Sequence, residues 1–323
     1  MLAREMIQRV REIHIRAGRQ VADVLAGQYV SVFKGRGVEF DEVRPYIPGD
    51  DVRTIDWNVT ARVGEPYVKR YVEERQLTIM LMADVSASQD FGSGSRSKRE
   101  ATAELCALLA FSAIRNGDKV GLTLFHGGVE QYIPPRKGQR HALRVVREVL
   151  AHGTGQAPGE TAPQQARRRL WKWLPFGRSR PWRTGRQATS VAGAMQFLRS
   201  VSARKTICFV VSDFQDDGFL EAMRNANRKH DVVAAAVFDP RELETPDVGL
   251  ITLADLETGR VGEYDAGSPA FRKTVERLAR GRLDALERSF RSAGMDFIPL
   301  DASQSVVEPL VKFFRMRERR MRR

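Results

Sequence analysis

Leu77-Thr-Ile-Met-Leu-Met-Ala-Asp84-Val-Ser86-Ala-Ser88 is an apolar run of strand length that stops abruptly in oxygen-bearing side chains. A nearly unbroken apolar run is the pattern of a strand covered on both faces, as in the parallel sheets of α/β proteins. In such sheets ligands collect beyond the carboxyl ends of the strands, where the strand order reverses. Asp84, Ser86 and Ser88 therefore stand where a ligand is expected. One carboxylate with two hydroxyls suits a small hard cation such as Mg2+, which prefers octahedral oxygen ligands. The stretch taken alone is equally consistent with a helix cap, because the first N–H groups of the next helix also need acceptors.

Two further segments repeat the theme. Thr206-Ile-Cys-Phe-Val-Val-Ser212-Asp213-Phe214 is a second apolar strand ending in oxygen, and Thr189-Ser190 opens a helix just before it. Asp84, Ser86 and Ser88, then Thr189, then Asp213, each at a strand or helix end, resemble the metal-ion-dependent adhesion site of von Willebrand factor type A domains. The resemblance implies a bound Mg2+ or Mn2+ held by those five residues, with a partner carboxylate supplying the last oxygen.

Outward from this strand the pattern alternates between helix and strand. Residues 98–116 read as a helix, 120–125 as a strand, 129–134 as a short edge strand and 139–152 as a helix. After residue 190 come a helix to 201, the strand 206–214, a helix over 218–229 and a strand over 232–238. A β-rich excursion over 250–264, a long helix over 269–293, a strand at 297–300 and a terminal helix complete the series. The expected fold is α/β: a Rossmann-like, doubly wound, mainly parallel sheet flanked by helices. Residues 91–98 lie where a phosphate loop would, but Ser97-Lys98-Arg99 lacks the Gly-Lys-Ser/Thr order of a Walker loop, and the third glycine of a dinucleotide fingerprint is missing. A site-flanking loop is the expectation there.

Upstream, residues 2–25 carry Met6, Val10, Ile13, Val21 and Leu25 between charged residues and read as an amphipathic docking helix. Residues 35–62 are dense in glycine, proline and paired charge, neither helix nor clean strand. Arg44, Arg53 and Arg62 are placed to pair with Glu39, Asp50, Asp51 or Asp56 and to order an extended segment against the main domain. Tyr67-Val-Lys-Arg-Tyr71-Val alternates like a half-buried strand, a hairpin arm or sheet edge running into the strand at Leu77. Glu39-Phe40, Arg44-Pro-Tyr46, Pro48-Gly49-Asp50-Asp51, Arg53-Thr-Ile55-Asp56-Trp57 and Ala61-Arg62 resemble the signature of the bacterial family called domain of unknown function 58, with the resemblance running over residues 35–302. In that family the signature leads into a von Willebrand A-like domain. Members are often encoded beside a MoxR-type AAA+ ATPase, which the resemblance implies as a partner.

The organisation expected is a docking helix (1–34), the signature segment (35–76), a von Willebrand A-like domain (77–302) interrupted at 153–187, and a basic C-terminal helix (303–323). The 323 residues, 42% hydrophobic and 29% charged, describe an ordinary globular protein with ample core. No apolar run approaches the roughly 18 residues of a spanning helix, and the N-terminus has no signal-peptide core, so the expected location is cytoplasmic. Cys106 and Cys208 are expected buried and reduced. Five histidines show no zinc spacing and no nucleophile elbow is present, which points to binding rather than catalysis.

Lys+Arg total 53 against 40 Asp+Glu, a formal charge of +13. Such a surface attracts anions. Much of the excess lies in the stretch with Arg167, Arg168, Arg169, Trp171, Trp173, Arg178, Arg180, Trp182 and Arg183, which holds three of the four tryptophans. Interleaved Trp and Arg suit an anionic membrane face or single-stranded nucleic acid, and the absence of a nucleic-acid-binding motif favours membrane or protein contact, hence a peripheral position at the inner membrane face. A partly packed loop with solvated arginines is the plainer alternative. Vesicle co-sedimentation decides: anionic vesicles should pellet the protein more than neutral ones, with on the order of 1 kcal/mol per basic residue near the surface. Salt should release it. Equal pelleting of the parent and a deletion of residues 167–182 would remove the membrane reading.

Overall fold

The computed structural model describes residues 39–72, 76–94, 96–152, 189–254 and 261–321. Two sections follow one another along the chain. The first is a small unit in which β1 (Glu39–Pro45) and β2 (Tyr67–Val72) pair antiparallel, joined through a 3-10 turn at Val52–Thr54 and the helix α1 (Trp57–Val63). β2 is thus a hairpin arm, but it pairs backward with β1 rather than forward with the strand at Leu77. Arg44 holds Asp50 through two hydrogen bonds of 2.7 and 2.8 Å, the ion pair expected of this segment.

Asp51 and Asp56 also take on local backbone roles that the charge pattern does not display. The Asp51 carboxylate accepts the Arg53 N–H at 3.0 Å and caps the 3-10 turn, while Asp56 accepts the N–H groups of Asn58 and Val59 and caps α1. Gly64 ends α1 at φ 83°, a left-handed position glycine fills without a Cβ penalty. Asp56→Ala should cost about 1 kcal/mol as a lost cap. Substituting the exposed Arg53 should stay within about 0.5 kcal/mol. Faster amide exchange at Asn58 and Val59 in the first variant alone is the expected result.

The second section is the α/β unit. Its six-stranded sheet runs in the order β10 (Asp296–Asp301), β7 (Asp231–Phe238), β6 (Ile207–Ser212), β3 (Thr78–Asp84), β4 (Lys119–Phe125), β5 (Val129–Arg136). All neighbours are parallel except the β4–β5 pair, which puts an antiparallel strand on one edge. From β3 the chain moves one way to β4 and β5. Later it returns to β6 and moves the other way to β7 and β10, so the order reverses between β3 and β6.

The period-two alternation of β3 divides the core. Ile79, Leu81 and Ala83 face α2 (Lys98–Arg115), α3 (Gln139–Ala151) and α8 (Val307–Met321). Met80 and Met82 face α4 (Val191–Val201), α5 (Phe219–Asn227) and α7 (Pro269–Ser292). The strand side chains from Ile79 to Ala83 are fully buried, at roughly 1.5–3 kcal/mol for each large one. Cys106 and Cys208 are free and buried; burial pushes the Cys106 thiol up to about 12, so both are inert core fillers.

A short helix α6 (Pro240–Leu243) follows β7, and β8 (Leu250–Ala254) and β9 (Val261–Asp265) form the hairpin that the β-rich stretch predicts. The basic C-terminal helix is no loose tail, since α8 buries Leu310, Phe313 and Phe314 in the core. Among the described residues no helix is long and apolar enough to cross a membrane.

Candidate functional site

Asp84 ends β3 and Ser212 ends β6, side by side at the reversal of strand order, because Ala83 is in register with Val211. The Asp84 side chain is 1% exposed. Its Oδ1 accepts the Ser86 N–H at 2.9 Å and its Oδ2 accepts the Ser212 hydroxyl at 2.7 Å. Ser86 and Ser88 bring their hydroxyls within 2.9 Å of each other. Three of the five predicted ligands therefore form one connected group, and Ser212 joins it.

Asp213 reaches the same place through a backbone turn. Phe214 has φ 51°, the left-handed region that an aromatic residue enters only under constraint. Its ring is buried against Phe219 and Phe290, its N–H donates to Ser212 Oγ at 3.1 Å, and its carbonyl accepts from Arg282 at 2.8 Å. The turn brings the Asp213 carboxylate close enough to act on Asp84 by charge. Burial first, and the Asp213 charge second, push the Asp84 carboxyl up from 3.8 to about 6, against the pull of its hydrogen bonds.

Thr189 is buried beside the end of β4. Its Oγ1 lies 3.5 Å from the His126 Nδ1, and the Ser190 N–H donates to the His126 carbonyl at 2.7 Å. Ser190 caps α4 through Gly193, as its place before a helix predicts, and Asp216 accepts the Val191 N–H at 2.9 Å. The loop after β6 and the start of α4 are thereby tied together over the crevice. Thr189 therefore stands just before α4, against the residue that follows β4, the strand next to β3.

The capping alternative is answered locally. Ser86 stands at the start of a 3-10 turn (Ala87–Asp90) but makes no side-chain cap bond there. The next helix, α2, is capped by Ser97 and Glu100 in a capping box. The Ser86 side chain therefore caps neither element, while Asp84 holds the Ser86 N–H where the 3-10 turn begins. The donor set is two carboxylates and hydroxyls, hard oxygen throughout, which fits Mg2+ or Mn2+ and not a soft metal. Among the described residues no group of three or more His, Cys, Asp or Glu is placed to hold a metal ion. Two buried polar groups beside this donor set, the Asp216 Oδ1 and the Gln89 amide, find no hydrogen-bond partner among the described residues. Both mark space with unmet polar demand.

Two residues at this site were not singled out as functional in sequence. Lys98, the first residue of α2, is fully buried with its Nζ 3.0 Å from Asp213 and 2.6 Å from Glu242 of α6. Ser212 was legible only as the residue before Asp213. The nine Arg and Trp positions 167–183 of the proposed anionic-surface segment, and the amphipathic stretch 2–25, lie outside the described residues.

A family model described as "Protein of unknown function DUF58" matches residues 42–284. Uncharacterized protein Rv1480 of Mycobacterium tuberculosis is 29% identical over 311 residues, which span 96% of this chain and 89% of that protein. Uncharacterized protein YeaD of Bacillus subtilis is 27% identical over 111 residues, 34% of this chain and 26% of its own. Among solved structures, an aerotolerance-related membrane protein from Bacteroides fragilis overlaps 74% of this chain and 99% of its own, at 15% identity and a TM-score of 0.43.

Proposed function

The chain belongs to the DUF58 family, and on that premise we propose that it is a non-catalytic, divalent-cation-dependent protein-binding module built on a von Willebrand factor A-like domain. The observation that carries the reading is the buried Asp84 at the reversal of strand order, with the Ser86 and Ser88 hydroxyls beside it and the Asp213 charge acting on it. Asp84, Ser86 and Ser88 are the residues that hold Mg2+ or Mn2+, with Thr189 and Asp213 completing the shell directly or through water. A cation held there would supply Lewis acidity toward an acidic side chain of the partner.

The chain's own residues prepare that event. The Ser86 N–H and the Ser212 hydroxyl orient the Asp84 carboxylate, and the strained turn at Phe214 fixes Asp213 in place. Binding rather than turnover is the reading proposed, from the resemblance of the cluster to an adhesion site. The partner proposed from the family resemblance is a MoxR-type AAA+ ATPase, in complex assembly or maturation.

A second reading has an observation in its favour. Lys98 already neutralises Asp213, as in a site that is structural rather than cation-loaded, which would leave the basic surface as the working part. Pull-down of the neighbouring gene products with and without chelator separates the two. Capture lost in chelator and restored by Mg2+ supports the first; capture indifferent to chelator but weakened by salt supports the second.

A further inference from the structure

Lys98 has no local reason to be buried. The start of α2 is capped by Ser97 and Glu100, and a lysine at a helix start is normally solvated. Here the side chain is fully enclosed, between Asp213, 6% exposed, and Glu242, 29% exposed. Burial alone would lower the Lys98 ammonium, but the two carboxylates outweigh it and hold it above the usual lysine value. Glu242 spends its other oxygen on the Asp239 N–H at 2.9 Å, and Asp239 in turn accepts the Ser93 N–H at 2.8 Å. A line of polar contacts therefore runs from Asp213 through Lys98, Glu242 and Asp239 to the loop between β3 and α2.

We infer that Lys98 is an internal cation that shares Asp213 with the divalent cation, so that its charge sets the affinity of the site and loading loosens its hold on Asp213 and leaves it paired with Glu242 of α6. The inference rests on the cation-binding reading above. Its physical content is that Asp213 serves two positions at once: its Oδ2 is 3.0 Å from the Lys98 ammonium, and its charge also acts on Asp84. Positive charges a few ångströms apart in a buried site repel strongly. Coupling is reciprocal: whatever tightens the hold of Lys98 on Asp213 weakens cation binding by the same factor. Glu242, already 2.6 Å from the ammonium, is the counterweight that keeps Lys98 paired when its hold on Asp213 loosens.

The test is isothermal titration of the full chain with Mg2+ and with Mn2+, on the parent, Lys98→Gln and Glu242→Gln. Lys98→Gln should tighten binding at least about tenfold and Glu242→Gln should weaken it about threefold or more, from charge alone. General damage to the fold would weaken both. Hydrogen exchange over residues 239–243 should respond to Mg2+ in the parent and not in Lys98→Gln. Lys98→Gln binding no tighter than a parent that binds overturns the inference and leaves the cation reading standing. No binding by parent or either variant overturns the reading and the inference together. A silent parent with a binding Lys98→Gln supports both. Where Lys98→Gln does not fold, Glu242→Gln decides, and affinity equal to the parent overturns the inference.

Discussion

Asp84→Asn should abolish Mg2+ binding and at the same time make the metal-free protein more stable at neutral pH. The second half follows from the sign of the Asp84 shift. Its carboxyl stands at about 6 in the folded protein against an ordinary 3.8, so folding binds a proton in between. The group imposes no penalty below about pH 4. The penalty grows as pH rises and levels off above about pH 6, at about 3 kcal/mol by the conversion of 1.36 kcal/mol per pH unit. An amide removes the charge and keeps the hydrogen bonds: its oxygen accepts from the Ser86 N–H, and its NH2 faces a Ser212 hydroxyl that is able to turn and accept. Thermal unfolding should therefore show variant and parent converging near pH 4 and the variant ahead at pH 7.5. Added Mg2+ should raise the parent and leave the variant unmoved, because only the parent binds it in the folded state. A variant less stable than the parent at pH 7.5 without metal, or equally stabilised by Mg2+, would count against the site.

Arg317→Ala should produce the largest loss of stability outside the hydrophobic core. This arginine of α8 donates to both oxygens of Asp231 and to Asp296, and Arg320 joins on Asp296. Asp231 and Asp296 begin β7 and β10, so one guanidinium fastens the last helix to the amino ends of two strands and lies over the Phe313 ring. Side-chain exposures of 15% for Arg317 and 8% for Asp296 leave little water to replace it. Removing one partner of a fully buried group costs about 3–5 kcal/mol; the loss here should fall toward the lower end of that range, since Asp296 keeps Arg320 and Asp231, at 25% exposure, is partly reached by water. Urea unfolding should show the midpoint falling with the slope unchanged. Arg320→Ala, at 58% exposure, should cost under about 1 kcal/mol. Equal effects from the two would mean that the network is distributed rather than centred on Arg317.

The fold was legible where burial dictates the pattern. β3 and β6 are apolar throughout because both faces are covered, and their oxygen-bearing ends fell at the reversal of strand order. The signature segment was harder. β1 reads Glu-Phe-Asp-Glu-Val-Arg-Pro and does not alternate, while α1 has seven residues, too few to display a helical period, and buries none of them. What specifies α1 is its Asp56 cap and its Gly64 stop, signals that are local and short. Charge pairing is legible for Arg44 and Asp50, while the Asp51 and Asp56 carboxylates also accept backbone N–H groups at local turns, a role that the charge pattern does not display. Lys98 escaped notice because a lysine at a helix start is by default solvated. Only the closing of α6 over the crevice, a contact across more than a hundred residues, turns it inward.

The measurement that bears most directly on the central claim is isothermal titration of Mg2+ into the purified parent chain at neutral pH, with chelator reversal. One site per chain, lost in Asp84→Asn, is the predicted result. Absence of binding at millimolar Mg2+ and Mn2+, in a protein shown by thermal unfolding to be folded, would contradict it and leave Asp84, Ser86, Ser88, Thr189 and Asp213 as a structural network.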